Sequence, residues 1–361
     1  MSNSFDKIQK NFGFGFMRLP MVGNNVDIPQ TMEMVDTFLE NGFNYFDTAH
    51  GYINGKSELA IKTCLSSRYP RDRYILTNKL SANYFKKEED IRPLFQQQLE
   101  ACGVEYFDFY LMHALSAARM EQYEGAKAFE TALELKKEGK IRHLGMSFHD
   151  KADVLDQILT RHPEVEVVQI QFNYVDYEDP KVESRKCYEV CRKHGKPVII
   201  MEPVKGGSLV NLSDSAQKVL DRLEGGSNAS YAIRFAAGFE GVMMVLSGMS
   251  TIDQMHDNVS FMKKFQPLNE AEQAALKKVC AIFRNRDLVP CTACRYCTEV
   301  CPQEIPIPEL FAALNAKRQE QPWDAVAGSS PADCIKCGKC EEICPQNLNI
   351  RELLTVISEE L

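Results

Sequence analysis

The chain has 361 residues, a length that favours either two domains or one large α/β barrel with an appendage. Its content of 44% hydrophobic and 25% charged residues is ordinary for a soluble globular protein. The net charge of −8 argues against nucleic acid and anionic membrane surfaces as partners, because both carry negative phosphate groups. The chain shows neither a signal-peptide-like start nor a run of about 20 apolar residues, so we expect a cytoplasmic protein.

Short apolar runs alternate with amphipathic stretches over the first two thirds of the chain. Their nearly continuous apolar content is typical of parallel strands that are buried on both faces. Eight such β–α alternations within about 250 residues predict a (β/α)8 TIM barrel, and a doubly wound open sheet is the alternative. The predicted strands are 12–20, 44–49, 74–79, 107–113, 141–148, 167–173, 197–204 and 242–248.

Polar side chains end three consecutive predicted strands, at Asp47, Lys79 and His113. In a TIM barrel the carboxyl ends of the strands converge on the face that holds the active site. Tyr52 follows Asp47 in the loop "AHGYINGKSE". We therefore expect these four side chains to meet, although they are far apart in the sequence.

These four residue types make a coherent acid–base set. A tyrosine phenol with its ordinary pKa of about 10 is a poor proton donor and acceptor near neutrality. An ammonium ion beside Tyr52, such as that of Lys79, favours the phenolate, and Asp47 would keep the lysine charged. His113 would orient a carbonyl oxygen, so the set suits proton transfer to that oxygen while a hydride reaches the carbon. A structural Asp47–Lys79 ion pair and a core histidine are the alternative interpretation.

The motifs around these residues, "FDTAHGY", "TNK" and "FYLMH", resemble the aldo-keto reductases at the positions of that family's Asp–Tyr–Lys–His tetrad. "GMSF", "VQIQFN", "MEPVKGG" and "LSGMSTIDQMHDN" extend the resemblance in order, over roughly residues 10–265. The resemblance implies carbonyl/alcohol interconversion with Tyr52 as general acid/base, Lys79 as its pKa modulator, Asp47 as the partner of Lys79, and His113 as the substrate-orienting residue.

The resemblance also implies a nicotinamide cofactor. The family's amide-binding asparagine is replaced by Phe148, and its stacking aromatic residue by Met201. Met249 and Gln254 stand where cations would hold a 2′-phosphate, so a preference for NADP is disfavoured. NADH or NADPH is the expected cofactor, with a flavin as the alternative. The candidate cofactor-binding residues are Ser147, Gln169, Glu202, Ser247, Gly248, Ser250, Gln254 and Asn258.

The turn "SGMS" before the predicted helix "TIDQMHDNVSFM" has two open interpretations. It is either a phosphate-binding turn, because the N–H groups of a helix start favour anions, or an ordinary strand-to-helix connection. Glu202 is likewise either a ligand of the cofactor ribose or a hydrogen-bonding neighbour of the site.

Thirteen cysteines form the strongest signal in the sequence. The spacing C-x2-C-x2-C-x3-C-P occurs twice, in "CTACRYCTEVCP" and "CIKCGKCEEICP". In a reducing compartment such clusters indicate metal ligands rather than disulfides, and structural zinc prefers two separate C-x2-C pairs. The repeated spacing therefore predicts two [4Fe–4S] clusters. The five scattered cysteines are expected to be small core residues: Cys64, Cys102, Cys187, Cys191 and Cys280.

In two-cluster ferredoxins the fourth cysteine of each motif ligates the other cluster. The predicted ligand sets are therefore Cys291, Cys294, Cys297 and Cys344 for one cluster, and Cys334, Cys337, Cys340 and Cys301 for the other. The helical stretches "PELFAALNAKRQ" and "NIRELLTVISEEL" resemble the α-helical ferredoxin type of dicluster domain, as in fumarate reductase iron–sulfur subunits.

The sequence thus predicts a barrel over 1–265, a connecting helix over 266–285 and a small, mainly α-helical dicluster ferredoxin-like domain over 286–361. We expect an oxidoreductase that acts on a small carbonyl or alcohol and exchanges electrons with a redox partner protein. The alternative is an electron-transfer or partner-binding protein with a catalytically silent barrel. A third possibility is that the clusters are purely structural.

Overall fold

The computed structural model describes residues 4–223, 225–284, 288–319 and 321–360. These residues form two compact units. The first comprises Met1–Pro203 and Ala229–Asn269, and the second comprises Val204–Asn228 and Glu270–Leu361. The predicted boundary at residues 285 and 286 lies outside the described residues.

The first unit is a closed barrel of eight parallel strands in the order β1-β10-β9-β8-β7-β6-β5-β4, with a separate antiparallel pair, β2 and β3. The closed ring of eight strands confirms the predicted TIM barrel. The alternative prediction of a doubly wound open sheet is wrong. Each predicted strand overlaps an observed one, and β5 and β6 extend two residues beyond their predicted ends. The strands are Phe12–Gly15 (β1), Met21–Val22 (β2), Asn25–Val26 (β3), Tyr45–Asp47 (β4), Ile75–Ser81 (β5), Phe107–Leu115 (β6), Ile141–Phe148 (β7), Val167–Gln171 (β8), Val198–Met201 (β9) and Val242–Gly248 (β10).

Helices follow the barrel strands and build most of the second unit. The α-helices are Ile28–Glu40 (α1), Lys56–Ile61 (α2), Glu88–Cys102 (α3), Ala117–Gly125 (α4), Ala128–Lys137 (α5), Ala152–Arg161 (α6), Ser184–Lys193 (α7), Asp214–Leu220 (α8), Asn228–Ala237 (α9), Ile252–Met262 (α10), Glu270–Arg284 (α11), Tyr296–Glu299 (α12), Ile307–Arg318 (α13), Lys339–Ile343 (α14) and Ile350–Glu360 (α15). None of the described helices is long and apolar enough to span a bilayer.

Helix α1 illustrates how the local sequence determines where a helix begins and which of its faces is buried. Asp27 caps its start, since the carboxylate accepts a hydrogen bond from the Gln30 N–H at 3.1 Å. Pro29 occupies the first turn, where a missing N–H costs nothing. The apolar stripe then buries Met34 and Phe38 completely. Packing of this stripe against the barrel, more than helix propensity, stabilises the helix.

The barrel interior is filled by alternate residues of the strands. The cluster contains Tyr45, Ile75, Phe109, Leu111, Val167, Ile199, Met244 and Leu246. Because side chains alternate between the two faces of a strand, the residues two or four positions further along share the inward face. These include Asp47 after Tyr45, Lys79 after Ile75, and His113 after Leu111. The apolar interior thus positions the polar residues at the carboxyl ends of the strands.

The second unit has its own apolar core, drawn from both halves of the cysteine-rich region. It is formed by Val289, Cys297, Ile305, Ile307, Leu310, Phe311, Leu314, Cys340, Ile350, Leu354 and Ile357. The sequences "CPQEIPI" and "CPQNLNI" follow the two motifs at a constant offset and lead into α13 and α15. The region is therefore an internal repeat, and α8 and α11 of the same unit pack against each other.

Candidate functional site

A buried ion pair lies at the carboxyl ends of β4 and β5. The Lys79 Nζ donates to Asp47 Oδ1 at 2.6 Å and to the Thr48 carbonyl at 2.8 Å. The two side chains are only 1% and 3% exposed. Burial lowers the pKa of Lys79 and raises the pKa of Asp47, while their mutual attraction opposes both shifts. The lysine is thus held by the aspartate at the inward face of the barrel.

Tyr52 lies against this pair. The Lys79 Nζ is 4.8 Å from the centre of the Tyr52 ring, and the ring centres of Tyr52 and His113 are 6.0 Å apart. The backbone after Tyr52 is left-handed at Ile53 and Asn54, with φ of 52° and 53°. This tight turn directs the loop back toward α2 and leaves Tyr52 8% exposed. The four residues of the predicted tetrad are therefore brought together.

His113 lies at an irregularity between β6 and β7, where the register shifts between Met112 and Leu115. Ser81 on β5 is its register partner, and the Ser81 Oγ lies 2.6 Å from the His113 Nδ1. Sequence reasoning missed Ser81 because the predicted strand stopped at Lys79. Its position two residues further on the same strand face was the available signal.

The environment of His113 favours the neutral imidazole. Desolvation is the largest cause, followed by the positive charges of Lys79, His149 and Arg119, and together they hold the pKa of His113 well below its usual 6.5. A neutral imidazole can donate from one nitrogen and accept at the other. The Ser81 hydroxyl lies at the Nδ1 side of this ring.

Two of the predicted nicotinamide residues are register partners, Ser147 on β7 and Gln169 on β8. The Ser147 Oγ accepts from the Ala114 N–H at 2.7 Å. Gln169 is 3% exposed, and its Oε1 has no hydrogen-bond partner among the described residues. A buried acceptor without a partner is costly, so this atom suits the amide group of a bound cofactor. The neighbouring Phe148 is buried and offers no polar atom.

The polar residues after β10 are engaged with one another. The Asn258 Nδ2 donates to the Ser247 Oγ at 2.9 Å, and the Ser250 N–H donates to the Gln254 Oε1 at 2.8 Å. Thr251 caps α10 through the Gln254 N–H. Gln254 therefore folds back on its own turn. Neither it nor the apolar Met249 provides a positive charge for a phosphate.

Glu202 and Gly248 share a neighbour, Arg18. The Arg18 guanidinium lies 3.5 Å from the Glu202 carboxylate, and Gly248 lies where an added Cβ would come within 3.1 Å of the Arg18 Cβ. The Asn173 side chain donates to the Glu202 carbonyl at 3.1 Å. Glu202 has a left-handed backbone, with φ of 55°. The candidate cofactor residue Glu202 is thus held by an ion pair at its carboxylate and by a side-chain hydrogen bond to its carbonyl oxygen.

Two cavities in the second unit are lined by cysteines. One is lined by Cys291, Cys294, Cys297 and Cys344. The other is lined by Cys301, Cys334, Cys337 and Cys340. In each cavity three cysteines come from one motif and the fourth from the other. Within the described part of the chain, no three His, Cys, Asp or Glu side chains converge on a single-ion position. Four cysteine sulfurs around each cavity, with the fourth taken from the other motif, fit the ligand pattern of a two-cluster ferredoxin.

Left-handed backbone recurs at matching positions of the two motifs. It occurs at Ala293, Arg295 and Glu304 in the first copy and at Lys336, Gly338 and Asn347 in the second. Such turns direct successive N–H groups into a concave surface that favours anionic groups. The Ala293 N–H donates to the Cys291 Sγ at 3.3 Å. The backbone thus fits a thiolate-ligated cluster, whose sulfur atoms accept hydrogen bonds.

The five scattered cysteines are all buried. Burial raises the pKa of Cys64 to about 11 and the pKa of Cys187 to about 12. The thiols of Cys64 and Cys187 are therefore protonated near neutrality, as expected of small core residues.

Comparison with known proteins places this geometry in a family. The aldo/keto reductase family matches residues 11–281, and a 4Fe-4S dicluster domain matches residues 290–348. The chain belongs to the aldo/keto reductase family and carries a C-terminal 4Fe-4S dicluster domain, which confirms both predicted resemblances.

Similar proteins include oxidoreductases with stated activities. The chain is 24% identical to an L-galactose dehydrogenase from Arabidopsis thaliana, over 75% of this chain and 89% of that protein. It is 27% identical to an NADH-specific methylglyoxal reductase from Escherichia coli, over 48% of this chain and 57% of that protein. An aldo-keto reductase from Bacillus halodurans, solved in its holo form, is 25% identical and covers 74% of this chain and 91% of its own, with a TM-score of 0.62.

A Klebsiella pneumoniae aldo-keto reductase, solved in complex with NADPH, is 20% identical to this chain. It covers 74% of this chain and 90% of its own, with a TM-score of 0.60. At this level of identity the likeness supports the fold. The chain is therefore an oxidoreductase-family barrel joined to a dicluster domain.

Proposed function

We propose that this protein interconverts a small carbonyl compound and its alcohol at the barrel site, and exchanges single electrons through two [4Fe–4S] clusters. The observation that carries the proposal is the position of Lys79. Its ammonium group contacts the Asp47 carboxylate at 2.6 Å and lies 4.8 Å from the Tyr52 ring centre. This arrangement supplies a proton donor at the place where a carbonyl oxygen would gain negative charge.

In the reducing direction, a hydride adds to the carbonyl carbon and Tyr52 gives its phenolic proton to the oxygen. The nearby Lys79 ammonium favours the phenolate that remains, and Asp47 holds that ammonium in place. His113 is neutral near pH 7, so its Nε2–H can hydrogen-bond the carbonyl oxygen without giving up a proton. The oxidising direction uses the same groups in reverse order.

A nicotinamide cofactor would supply the hydride when bound. Gln169 and Ser147 would hold its amide, and Asn258 the adenine end. The buried Gln169 Oε1, which has no partner among the described residues, fits a donor from the ligand. The Escherichia coli relative is named as NADH-specific, and Met249 and Gln254 give no cation for a 2′-phosphate. NADH is therefore the favoured cofactor, and a flavin is the alternative.

Iron–sulfur clusters would supply one-electron exchange, which the barrel residues cannot perform. The ligand sets follow the two cavities: Cys291, Cys294, Cys297 and Cys344 for one, and Cys334, Cys337, Cys340 and Cys301 for the other. One carbonyl reduction uses the two electrons of one hydride and leaves the cofactor oxidised. Two clusters that each give one electron would, together with one proton, return the cofactor to its hydride-donating form. The C-terminal match to a dicluster domain supports this proposal.

Tyr52→Phe tests the catalytic part. The protein is purified and reconstituted without oxygen, and NADH-dependent reduction of methylglyoxal, the compound named for the Escherichia coli relative, is the first assay. We expect kcat to fall by about 100-fold or more, because general acid catalysis contributes on that scale. NADH binding and the iron and sulfide content should not change. Tyr188→Phe, on α7, is the matched control. Full activity of Tyr52→Phe would show that the catalytic assignment is wrong.

A second function is favoured by one observation. Phe148 and Met201 stand at positions where the family uses an amide and an aromatic ring, so the barrel is a poorer nicotinamide site than its relatives. The protein would then be an electron carrier or binding subunit with a silent barrel. Anaerobic titration with NADH, NADPH and FMN separates the two functions. No binding of any of the three, together with reversible cluster reduction, would favour the carrier.

A further inference from the structure

The internal repeat allows the two cluster-binding loops to be compared residue by residue. Thr292 and Ile335 occupy the same place, each directly after the first cysteine of its motif. Thr292 is 1% exposed, whereas Ile335 is 60% exposed. The two loops share their backbone conformation, so this difference comes from what covers them and not from the loops themselves.

The first loop is covered by a segment that follows β9. Gly206 has a left-handed backbone, and a Cβ built on it would lie 2.5 Å from the carbonyl oxygen of Thr292. Only glycine permits this approach. The first loop is therefore covered by another segment of the second unit, at Gly206.

The second loop, residues 335–339, has no such cover. Cys337 is the single ligand-candidate cysteine in the exposed class, and Lys336 and Lys339 on either side of it are also exposed. The loop thus presents an apolar side chain, two positive charges and a cluster cysteine to solvent.

Of the three acidic residues that flank this loop, only Glu341 forms an ion pair among the described residues. The Asp333 carboxylate accepts from the Ser330 N–H at 2.8 Å. The Glu341 carboxylate accepts from the Arg351 guanidinium at 2.8 Å. Glu342 is exposed but forms no ion pair with Lys339 in the described part of the chain. The charges on the 335–339 loop itself are thus those of Lys336 and Lys339, which are exposed and form no ion pair among the described residues.

We propose that the 335–339 loop is the docking surface for a small acidic one-electron carrier protein. This rests on the proposed function, because it assigns the external partner to the cluster site that includes Cys337. One electron passes from the reduced carrier to this site, or in the opposite direction, with no bond made and no proton moved. An exposed apolar residue beside two lysines suits a transient interface, in which charge complementarity steers the encounter.

The test measures binding rather than turnover. Full-length, anaerobically reconstituted protein is titrated with a small acidic [4Fe–4S] ferredoxin by calorimetry at several salt concentrations. Lys336→Glu/Lys339→Glu should weaken binding about tenfold or more at low salt, and reduce the salt dependence. Ile335→Ser should weaken binding at all salt concentrations. Glu342→Lys should strengthen binding, a gain that misfolding cannot produce.

Lys218→Glu on α8, an exposed lysine of the same second unit, is the matched control and should leave binding unchanged. Unchanged binding in Lys336→Glu/Lys339→Glu, an equal loss in the control, or burial of the loop in a homodimer would each overturn the proposal. Tyr52→Phe retains the loop, so it should bind the ferredoxin normally. A failure of the catalytic proposal is therefore distinguishable from a failure of this one.

Discussion

The Ser81 Oγ lies 2.6 Å from the Nδ1 of His113, and the two residues are register partners on adjacent strands. This contact fixes the ring orientation of a histidine whose surroundings favour the uncharged form. The causes are desolvation first, and then three nearby positive groups, which keep the pKa of His113 well below 6.5. The histidine is thus prepared to donate a hydrogen bond rather than a proton.

The first prediction concerns the titration of His113. Protonation should require a pH well below 6.5, so the imidazole stays neutral from pH 8 to about 6. Nuclear magnetic resonance of protein labelled at the histidine ring carbon checks this, with the His113 signal assigned by its loss in His113→Asn. The other six of the seven histidines provide internal controls. A His113 signal that titrates near pH 6.5 would contradict the prediction.

The same shift has a consequence for stability. The unfolded chain binds a proton at His113 near pH 6.5, whereas the folded chain does not. Stability from this residue is therefore full above pH 6.5 and is lost as the pH falls below it, by roughly 1 kcal/mol per pH unit. Urea unfolding at pH 7.5 and 5.5 should show a smaller loss for His113→Asn than for the parent protein.

A second prediction concerns the buried Asp47–Lys79 pair. Asp47→Asn leaves the ammonium of Lys79 buried without its counter-ion, which costs about 3 kcal/mol or more. We expect a lower urea midpoint, followed by circular dichroism, and loss of carbonyl reduction. Asp47→Leu combined with Lys79→Met should recover much of the stability but none of the activity.

The control for this pair is a surface ion pair. Arg185 and Glu189 on α7 lie 2.8 Å apart and are both solvent-exposed. Glu189→Gln should change stability by less than about 1 kcal/mol, because exposed pairs contribute little. If Asp47→Asn were as mild as Glu189→Gln, the pair would not be the buried electrostatic element that its geometry indicates.

The third prediction tests the crossed cysteine sets. Cys344 lines the same cavity as Cys291, and Cys301 the same cavity as Cys334. Cys344→Ala should therefore share the electron paramagnetic resonance spectrum of Cys291→Ala, and Cys301→Ala that of Cys334→Ala. Each variant should retain close to half of the parent's iron. Spectra that pair Cys301→Ala with Cys291→Ala would show that each motif holds its own cluster.

Much of the barrel was predictable because its signals are local. Apolar runs of strand length, together with the convergence of strand ends in a TIM barrel, predicted that Asp47, Lys79 and His113 lie close together. Ser81 was missed because β5 continues two residues past Lys79, and strand ends are the least certain part of such predictions.

Other features depend on contacts that a linear pattern does not record. Residues Val204–Asn228 follow a barrel strand, yet they belong to the second unit. The left-handed turns at Ala293 and Lys336 have no residue signature, since only Gly338 among the matched positions is a glycine. Cysteine spacing predicted which cysteines line each cavity, but not the backbone that presents them or the unequal exposure of the two loops.

The last prediction concerns Gly206, whose approach to the Thr292 backbone has no room for a side chain. In Gly206→Ala the Cβ would lie 2.5 Å from the Thr292 carbonyl oxygen and 2.7 Å from its Cα. Backbone cannot yield as a flexible side chain can, so we expect a loss of about 1–3 kcal/mol and displacement of the first cysteine loop. Gly207→Ala is the matched control, because Gly207 also has a positive φ but no atom within 4 Å of its added Cβ.

The readout is the stability of the cluster sites rather than activity. Iron and sulfide content after purification, and the temperature at which the visible cluster absorbance is lost, should both fall for Gly206→Ala. Gly207→Ala experiences only the strain of its left-handed backbone, so its loss should be smaller. Equal effects of the two substitutions would mean that backbone strain, and not the contact with Thr292, explains the glycine at position 206. The first cysteine loop would then be stable without that contact.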